Sequence, residues 1–459
     1  MTNSHIKDFT KGNITKDLII FAWPLLLSNI LQVVYSMVDM IVVGKVMGKV
    51  GTSAVTVGGD VTNLLTFIGM GFASAGQVLI ARYVGAKQRD KIGKFVGTMT
   101  SFLFIMAIVV SIFGLVSQDL ILRLMNTPAE AYDGAAAYSS ICISGLVFIY
   151  GYNVTSAILR GMGDSKHPLL FIAIAALINI VLDLIFVAGF NMGAGGAALA
   201  TVVSQAISFI LCLIFLIRKK EMFSLNIAKN DFIHWNRDML SAFVKLGVPM
   251  AIKFAAISVS RMFVNSWING YGVAVSGFAG IANKLASVVN LFSNAMNTAG
   301  STMVGQNIVA GQFDRVNKIL KNLLIITLSI AIAFSIAMVL FPQEIFALFT
   351  DSSETEVLEL ADVYVPIALM MFLSSSLRAT MNALINGSGN VKTNFLTAIL
   401  DGIVLRIGLS LLFGVALKME YFGFWLGDAI AGYTPFFIGL VFYLTGSWKK
   451  GVKPREQTE

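Results

Sequence analysis

The sequence predicts an all-α integral membrane protein: twelve transmembrane helices in two pseudo-symmetric six-helix bundles. Three observations carry that prediction. Of the 459 residues, 56% are hydrophobic and 13% charged, whereas a soluble domain carries roughly 25% charged residues. The apolar residues gather into twelve runs, each near the ~20 residues needed to cross a ~30 Å hydrocarbon core. Three stretches of the first half also recur, in order, in the second.

The runs fall at 18–43, 53–80, 95–116, 132–157, 168–190, 195–217, 241–267, 273–303, 319–341, 362–385, 394–417 and 421–446. Their orientation follows from Lys and Arg, which favour the cytoplasmic side. With the N-terminus inside, 24 of them fall in inside segments and only Lys45, Lys49, Arg123 and Lys418 outside. The acidic stretch "DSSETEVLELAD" (351–362) then lies outside. Both termini are expected in the cytoplasm. The opening "MTNSHIKDFTKGNITKD" is polar and leads directly into an apolar run, unlike a cleaved signal peptide.

Duplication rests on three matches. "FAWPLLLSNILQ" (21–32) aligns with "LGVPMAIKFAAI" (246–257) at an offset of 225. "SAGQVLIARYVGAKQRDKIGK" (74–94) aligns with "TAGSTMVGQNIVAGQFDRVNK" (298–318) at 224, and "LRGMGDSK" (159–166) with "INGSGNVK" (385–392) at 226. Six spans per half make the repeats parallel, related by an axis along the membrane normal. The expected division is an N-terminal bundle at 1–217, a cytoplasmic linker at 218–240 and a C-terminal bundle at 241–459.

A charge near the bilayer centre costs at least ~2.5–3.5 kcal/mol, so each one needs a partner or a function. The first half carries acids within its spans (Asp39, Asp60, Asp183), and the second mainly bases (Lys253, Arg261, Lys284, Arg378, Arg406), with Asp401 and Asp428 near helix ends. Asn179 and Asp183 are one turn apart and share a helix face. At 1.5 Å per residue, Asp39, Tyr138, Asp183 and Thr201 all fall roughly 7–9 Å below the outer surface. Four helices thus bring polar groups to one level. Two carboxylates in a low-dielectric site cannot both stay ionised cheaply, so such a pair takes a proton or holds a cation. Asn179 and Thr201 add the neutral oxygens that a hard cation prefers. Buried, protonated carboxylates serving as helix glue are the plain alternative. A glue built into the fold would recur in both halves, yet Asp39, Asn179 and Asp183 superpose on Val264, Leu405 and Leu409.

Asp60 superposes on Lys284, and each suits either structural pairing or a cavity wall. Lys253 and Arg378 are the basic residues expected to face a substrate cavity. Arg406 is expected to pair with Asp401 or Asp428, and Arg261 to snorkel outward. The 21 Met and 34 Phe residues suit an adaptable apolar pocket as well as lipid-facing surface. "LRGMGDSKHP" (159–168) lacks the spacing and terminal GK[ST] of a phosphate loop and reads as a tight turn. His5, His167 and His234 sit in polar loops, which gives no metal or catalytic site, and Cys142 and Cys212 imply no disulfide. Nucleotide-binding and hydrolase motifs are absent, so neither an enzyme nor an ATP-driven pump is expected. The net charge of +8 follows from the basic loops and implies no nucleic-acid partner.

Taken together, "WPLLLSNILQVVYSMVDMIVVG" (23–44), the turn "LRGMGDSKHP", "NIVLD" (179–183) and "VGQNIVAGQ" (304–312) resemble the MATE (multidrug and toxic compound extrusion) family. That family lies within the wider group that includes lipid-linked oligosaccharide flippases, and the resemblance covers about 10–450. It implies a V of two six-helix bundles, open alternately to either side, exchanging a substrate for a cation. It further implies an H+ or Na+ coupling site at Asp39, Asn179, Asp183 and Thr201. Tyr35 matches a substrate-contacting tyrosine of some members, and Tyr138 and Asn153 correspond more loosely. The chain departs from members with a carboxylate on span seven, since Ile257 stands there, and no acid occurs in 370–387. No cation site is expected in the second half.

The expected function is therefore a plasma-membrane antiporter, a monomer in the lipid bilayer. It would export amphipathic small molecules in exchange for H+ or Na+ with no cofactor. The basic residues of the second half keep open a flippase or exporter of a lipid-linked or anionic organic substrate. A channel or scaffold is the reading from another class, and the duplicated architecture argues against the scaffold.

Overall fold

A computed structural model describes residues 6–450 apart from 126, 222, 224–228, 234 and 348–354. His5, His234, the centre of the expected linker, the start of the acidic outer stretch and the basic residues Lys453 and Arg455 lie outside the described residues. Among those described the chain is helical throughout, with no strand.

By packing, the chain forms two compact units. The first takes residues 1–8 and 23–251, the second residues 9–22 and 252–459. The first unit holds α1 (Ile14–Gly85, from Trp23 onward), α2 (Arg89–Leu124), α3 (Ala129–Ser144), α4 (Leu146–Gly161), α5 (Lys166–Asp183), α6 (Gly193–Arg218), α7 (Lys229–Ile233) and the start of α8 (Arg237–Asn269). The second holds the rest of α8, then α9 (Val273–Val309), α10 (Phe313–Leu340), α11 (Pro342–Ala347), α12 (Thr355–Ser388), α13 (Val391–Ile399), α14 (Leu405–Leu411), α15 (Glu420–Ala431) and α16 (Thr434–Leu444).

These helices supply the twelve spans. Eleven helical segments are long and apolar enough to cross a bilayer, counting the bent pair α3–α4 as one. The 72-residue α1 contains two spans, broken at Gly48. Its φ of 64° and ψ of −149° are open to glycine and costly for other residues. Large apolar side chains point outward, as lipid requires: Val116 is 80% exposed and Leu444 73%.

Span four is not one straight rod over 132–157. It bends by 50° between α3 and α4. Gly145 sits at the bend, where Val202 of α6 approaches to 2.5 Å from the position a Cβ would occupy. Span five is also irregular. The α-helical hydrogen bonding of α5 ends at Asp183, and Leu184–Gly189 continues as a π-helical turn, a departure common at functional sites.

The duplication extends to packing detail. Gly163 and Gly389 occupy equivalent turns with positive φ, 86° and 65°. Two residues earlier, a Cβ on Gly161 would lie 2.8 Å from the Gln77 carbonyl oxygen, and one on Gly387 2.7 Å from that of Ser301. "LRGMGDSKHP" is a tight turn. Asp164 Oδ1 accepts from the backbone N–H of Lys166 and His167 at 3.1 and 3.2 Å, and Pro168 lies in the first turn of α5.

Residues 9–22 pack with the second unit through contacts more than 290 positions away in sequence. The Phe9 N–H donates to Gln306 Oε1 at 2.8 Å, and Asn307 Nδ2 donates to the Phe9 carbonyl at 3.1 Å. The Arg315 guanidinium donates to the carbonyls of Phe9, Lys11 and Gly12. Gln306 and Asn307 belong to "VGQNIVAGQ", so that motif anchors the start of the chain.

Candidate functional site

In the first unit, α5 buries Asn179 and Asp183 completely, while Asp39 on α1 is 4% exposed. The one-turn spacing places both α5 side chains on the face turned to α1, where each meets Asp39. From α6, Thr201 Oγ1 donates to Asp39 Oδ2 at 3.3 Å. From α3, Tyr138 lies beside Thr201 and within electrostatic reach of Asp39 and Tyr35. Tyr35, one turn before Asp39, takes a long 3.5 Å contact from Gln205 Nε2 on α6. The structure thus gathers Tyr35, Asp39, Tyr138, Asn179, Asp183 and Thr201 from four helices into one cluster.

The cluster is short of partners. Asp39 Oδ1, both oxygens of Asp183, and both Oδ1 and Nδ2 of Asn179 are buried without a hydrogen-bond partner. Buried polar side-chain atoms usually have partners, because leaving one unpaired forfeits its hydration. The cluster offers six oxygens: two each from Asp39 and Asp183, one from Asn179 and one from Thr201. That set accepts a proton shared between carboxylates, or an alkali cation with oxygen ligands. Among the described residues, no group of three or more His, Cys, Asp or Glu side chains is placed to hold a metal ion. Soft ligands, which a transition metal favours, do not enter the set.

Asn153 stands apart. Its Nδ2 donates to the Ile149 carbonyl one turn back at 2.9 Å, and its half-buried side chain keeps a second N–H and its Oδ1. Sequence reasoning missed Gln205, Cys142 and Thr62, which border the cluster through Tyr35 and Tyr138. Gln205 had a signal, since it follows Thr201 by one turn. The break of α5 hydrogen bonding at Asp183 had none.

The second unit has the opposite character. Lys253 Nζ donates to Asn382 Oδ1 at 2.5 Å. Arg378 Nη2 donates to Asn290 Oδ1 at 2.9 Å. Arg406 is 1% exposed and pairs with both expected acids, with Asp401 at 2.9 Å and with Asp428. Arg261 does not snorkel out. It lines internal cavities beside Asp428. Asp60 and Lys284 are both exposed, and neither forms an ion pair within its unit among the described residues. Position 264 presents buried Val264 where the first unit has Asp39.

Comparison with known proteins fits this architecture. The MatE family model matches residues 24–185 and again 249–426, once per repeat. The chain is 28% identical over 448 residues to the probable multidrug resistance protein YoeA of Bacillus subtilis, covering 96% of both chains. It is 29% identical over 444 residues to the probable multidrug resistance protein YpnP of the same organism, covering 96% of this chain and 97% of YpnP. A solved MOP superfamily transporter from Pyrococcus furiosus superposes with a TM-score of 0.90 at 21% identity, over 98% of this chain and 100% of that one. The last comparison shows a shared fold, and the family match covers most of the chain. The chain belongs to the MatE family, a family of multi-pass membrane transporters rather than enzymes.

Proposed function

We propose that the protein is a secondary active exporter: an antiporter moving amphipathic small molecules, such as drugs or toxic metabolites, out of the cell in exchange for H+ or Na+. In this reading it is a plasma-membrane monomer with both termini cytoplasmic, and its only accessory is the coupling ion. The four unpartnered oxygens of Asp39, Asn179 and Asp183 carry the reading. A site left incomplete inside a packed bundle gains most from an arriving cation. The names of YoeA and YpnP, which describe multidrug resistance, support the substrate class.

The mechanism follows from differential affinity. A cation that binds the cluster more tightly in one conformation shifts the population toward it. Asp39 and Asp183 carry the charge that the cation neutralises. Thr201 and Asn179 complete its shell. Tyr35 and Tyr138 border the cluster, where a bound substrate meets the ion's effect, and Lys253 and Arg378 are the substrate-cavity residues of the second unit. Alternation then exchanges ion for substrate. The test is efflux from proteoliposomes under an imposed pH gradient and, separately, an imposed Na+ gradient, with a panel of cationic and anionic amphiphiles. Efflux driven by one of the gradients is expected; efflux indifferent to both would sink the reading.

A second reading, export or flipping of a lipid-linked or anionic organic substrate, draws on Lys253 and Arg378. Under it, Lys253→Gln with Arg378→Gln would reduce transport more than Asp39→Asn does. The reverse order favours the first reading.

A further inference from the structure

The coupling reading gives Arg261, Arg406, Asp401 and Asp428 of the second unit no role, and the geometry of their cluster, which Arg378 shares, is not that of a closed ion pair. Arg406 is held from two sides by Asp401 and Asp428, yet its Nε–H has no acceptor. Arg261 forms no hydrogen bond or ion pair among the described residues. Its leading electrostatic partner is Asp428, which Arg406 already engages. Arg378 donates to Asn290 Oδ1, which also accepts from Ser375 Oγ at 3.0 Å. Two donors on that oxygen fix the carboxamide orientation and leave its NH2 as a donor.

All three guanidinium side chains, with Asp428, Asn290 and Ser375, line one cavity of about 20 Å³. A second cavity of the same volume shares Arg261, Met371 and Asp428 with it. A single water needs about 10–15 Å³ by the same kind of measure, so each space admits one compact group and nothing of drug size. Charge narrows the occupant further. Arg261, Arg378 and Arg406, with Lys253 in electrostatic reach of Arg378 and Asp401, outnumber Asp401 and Asp428 by two, and poorly compensated charge at half-buried sites favours an anion.

We propose that the second unit binds one compact monovalent anion, a halide or a carboxylate group, between Arg261 and Arg378. Arg406 Nε–H and the Asn290 amide supply further donors. The anion offsets half of that surplus and gives the unpaired Arg406 donor an acceptor. This site goes beyond the export reading and does not rest on it, because it lies wholly in the second unit.

The test uses the purified full-length protein in detergent, at constant Na+ and ionic strength with gluconate as the bulky reference anion. Chloride, bromide or acetate is titrated in while thermal unfolding is followed. A saturable rise in the unfolding midpoint is expected with at least one of the three. Halides acting alone identify a free inorganic ion, and acetate acting alone identifies the carboxylate of an organic ligand. In Arg261→Gln and Arg378→Gln the half-saturating concentration should rise at least tenfold. If a variant does not fold, the wild-type anion series and Arg261→Lys, which retains the charge, still decide. No saturable response to any of the three anions overturns the proposal. So does an undiminished response in both glutamine variants.

Discussion

Gly161 and Gly387 make the same close helix contact, and Gly163 and Gly389 the same turn, but where the first unit has Asp39 and Asp183 the second has Val264 and Leu409. The repeats have kept the residues that set backbone approach and diverged in the side chains that set charge. The two kinds of charge are also treated differently. Arg406 of the second unit is neutralised by two acids. The acids of the first unit meet each other, and of their four oxygens only Asp39 Oδ2 has a donor, Thr201. A paired charge can hold a structure together, whereas an unpaired one adds stability only once something binds. The comparison therefore separates a unit with incompletely partnered buried acids from a unit with paired ones on the same frame.

The largest expected effect removes the guanidinium that bridges Asp401 and Asp428. Arg406→Leu leaves Asp401 and Asp428 facing each other without their cation, and should cost about 3–5 kcal/mol, read as lost folded protein or a lowered unfolding midpoint. A smaller effect of opposite sign comes from making the first unit resemble the second. Replacing Asp39, Asn179 and Asp183 by Val, Leu and Leu removes unsatisfied buried groups and should stabilise by about 1–4 kcal/mol in thermal unfolding, while abolishing coupled efflux. The shared frame should respond alike in both halves. Gly161→Ala and Gly387→Ala each push a methyl into a backbone carbonyl and should cost about 1–3 kcal/mol. Markedly unequal losses would show that the two turns carry different loads. The smallest expected change is Thr201→Val. It removes one neutral oxygen, worth about 0.5–1.5 kcal/mol, and should weaken the apparent cation affinity roughly three- to tenfold with export retained.

The parts of this account that were legible in the sequence are those set by local pattern. Span length follows from runs of apolar residues, and the repeat from glycines and prolines at a constant offset. The shared face of Asn179 and Asp183 follows from helical periodicity, and their convergence with Asp39 and Thr201 from counting residues inward from one surface. Features that depend on distant partners were not legible. The bend at Gly145 needs Val202 of another helix. The packing of residues 9–22 with the second unit needs Gln306, Asn307 and Arg315, far along the chain. Arg261 looked free to snorkel because its eight-residue spacing from Lys253 says nothing of a cavity lined by α9, α12 and α15.

Gradient-driven efflux in proteoliposomes, comparing wild type with Asp39→Asn and Asp183→Asn, tests the central claim most directly. The claim is that coupling resides in the carboxylate cluster of the first unit. Both variants are expected to insert and fold normally and to lose the response of efflux to the coupling gradient. Retention of gradient-dependent efflux by both would contradict it.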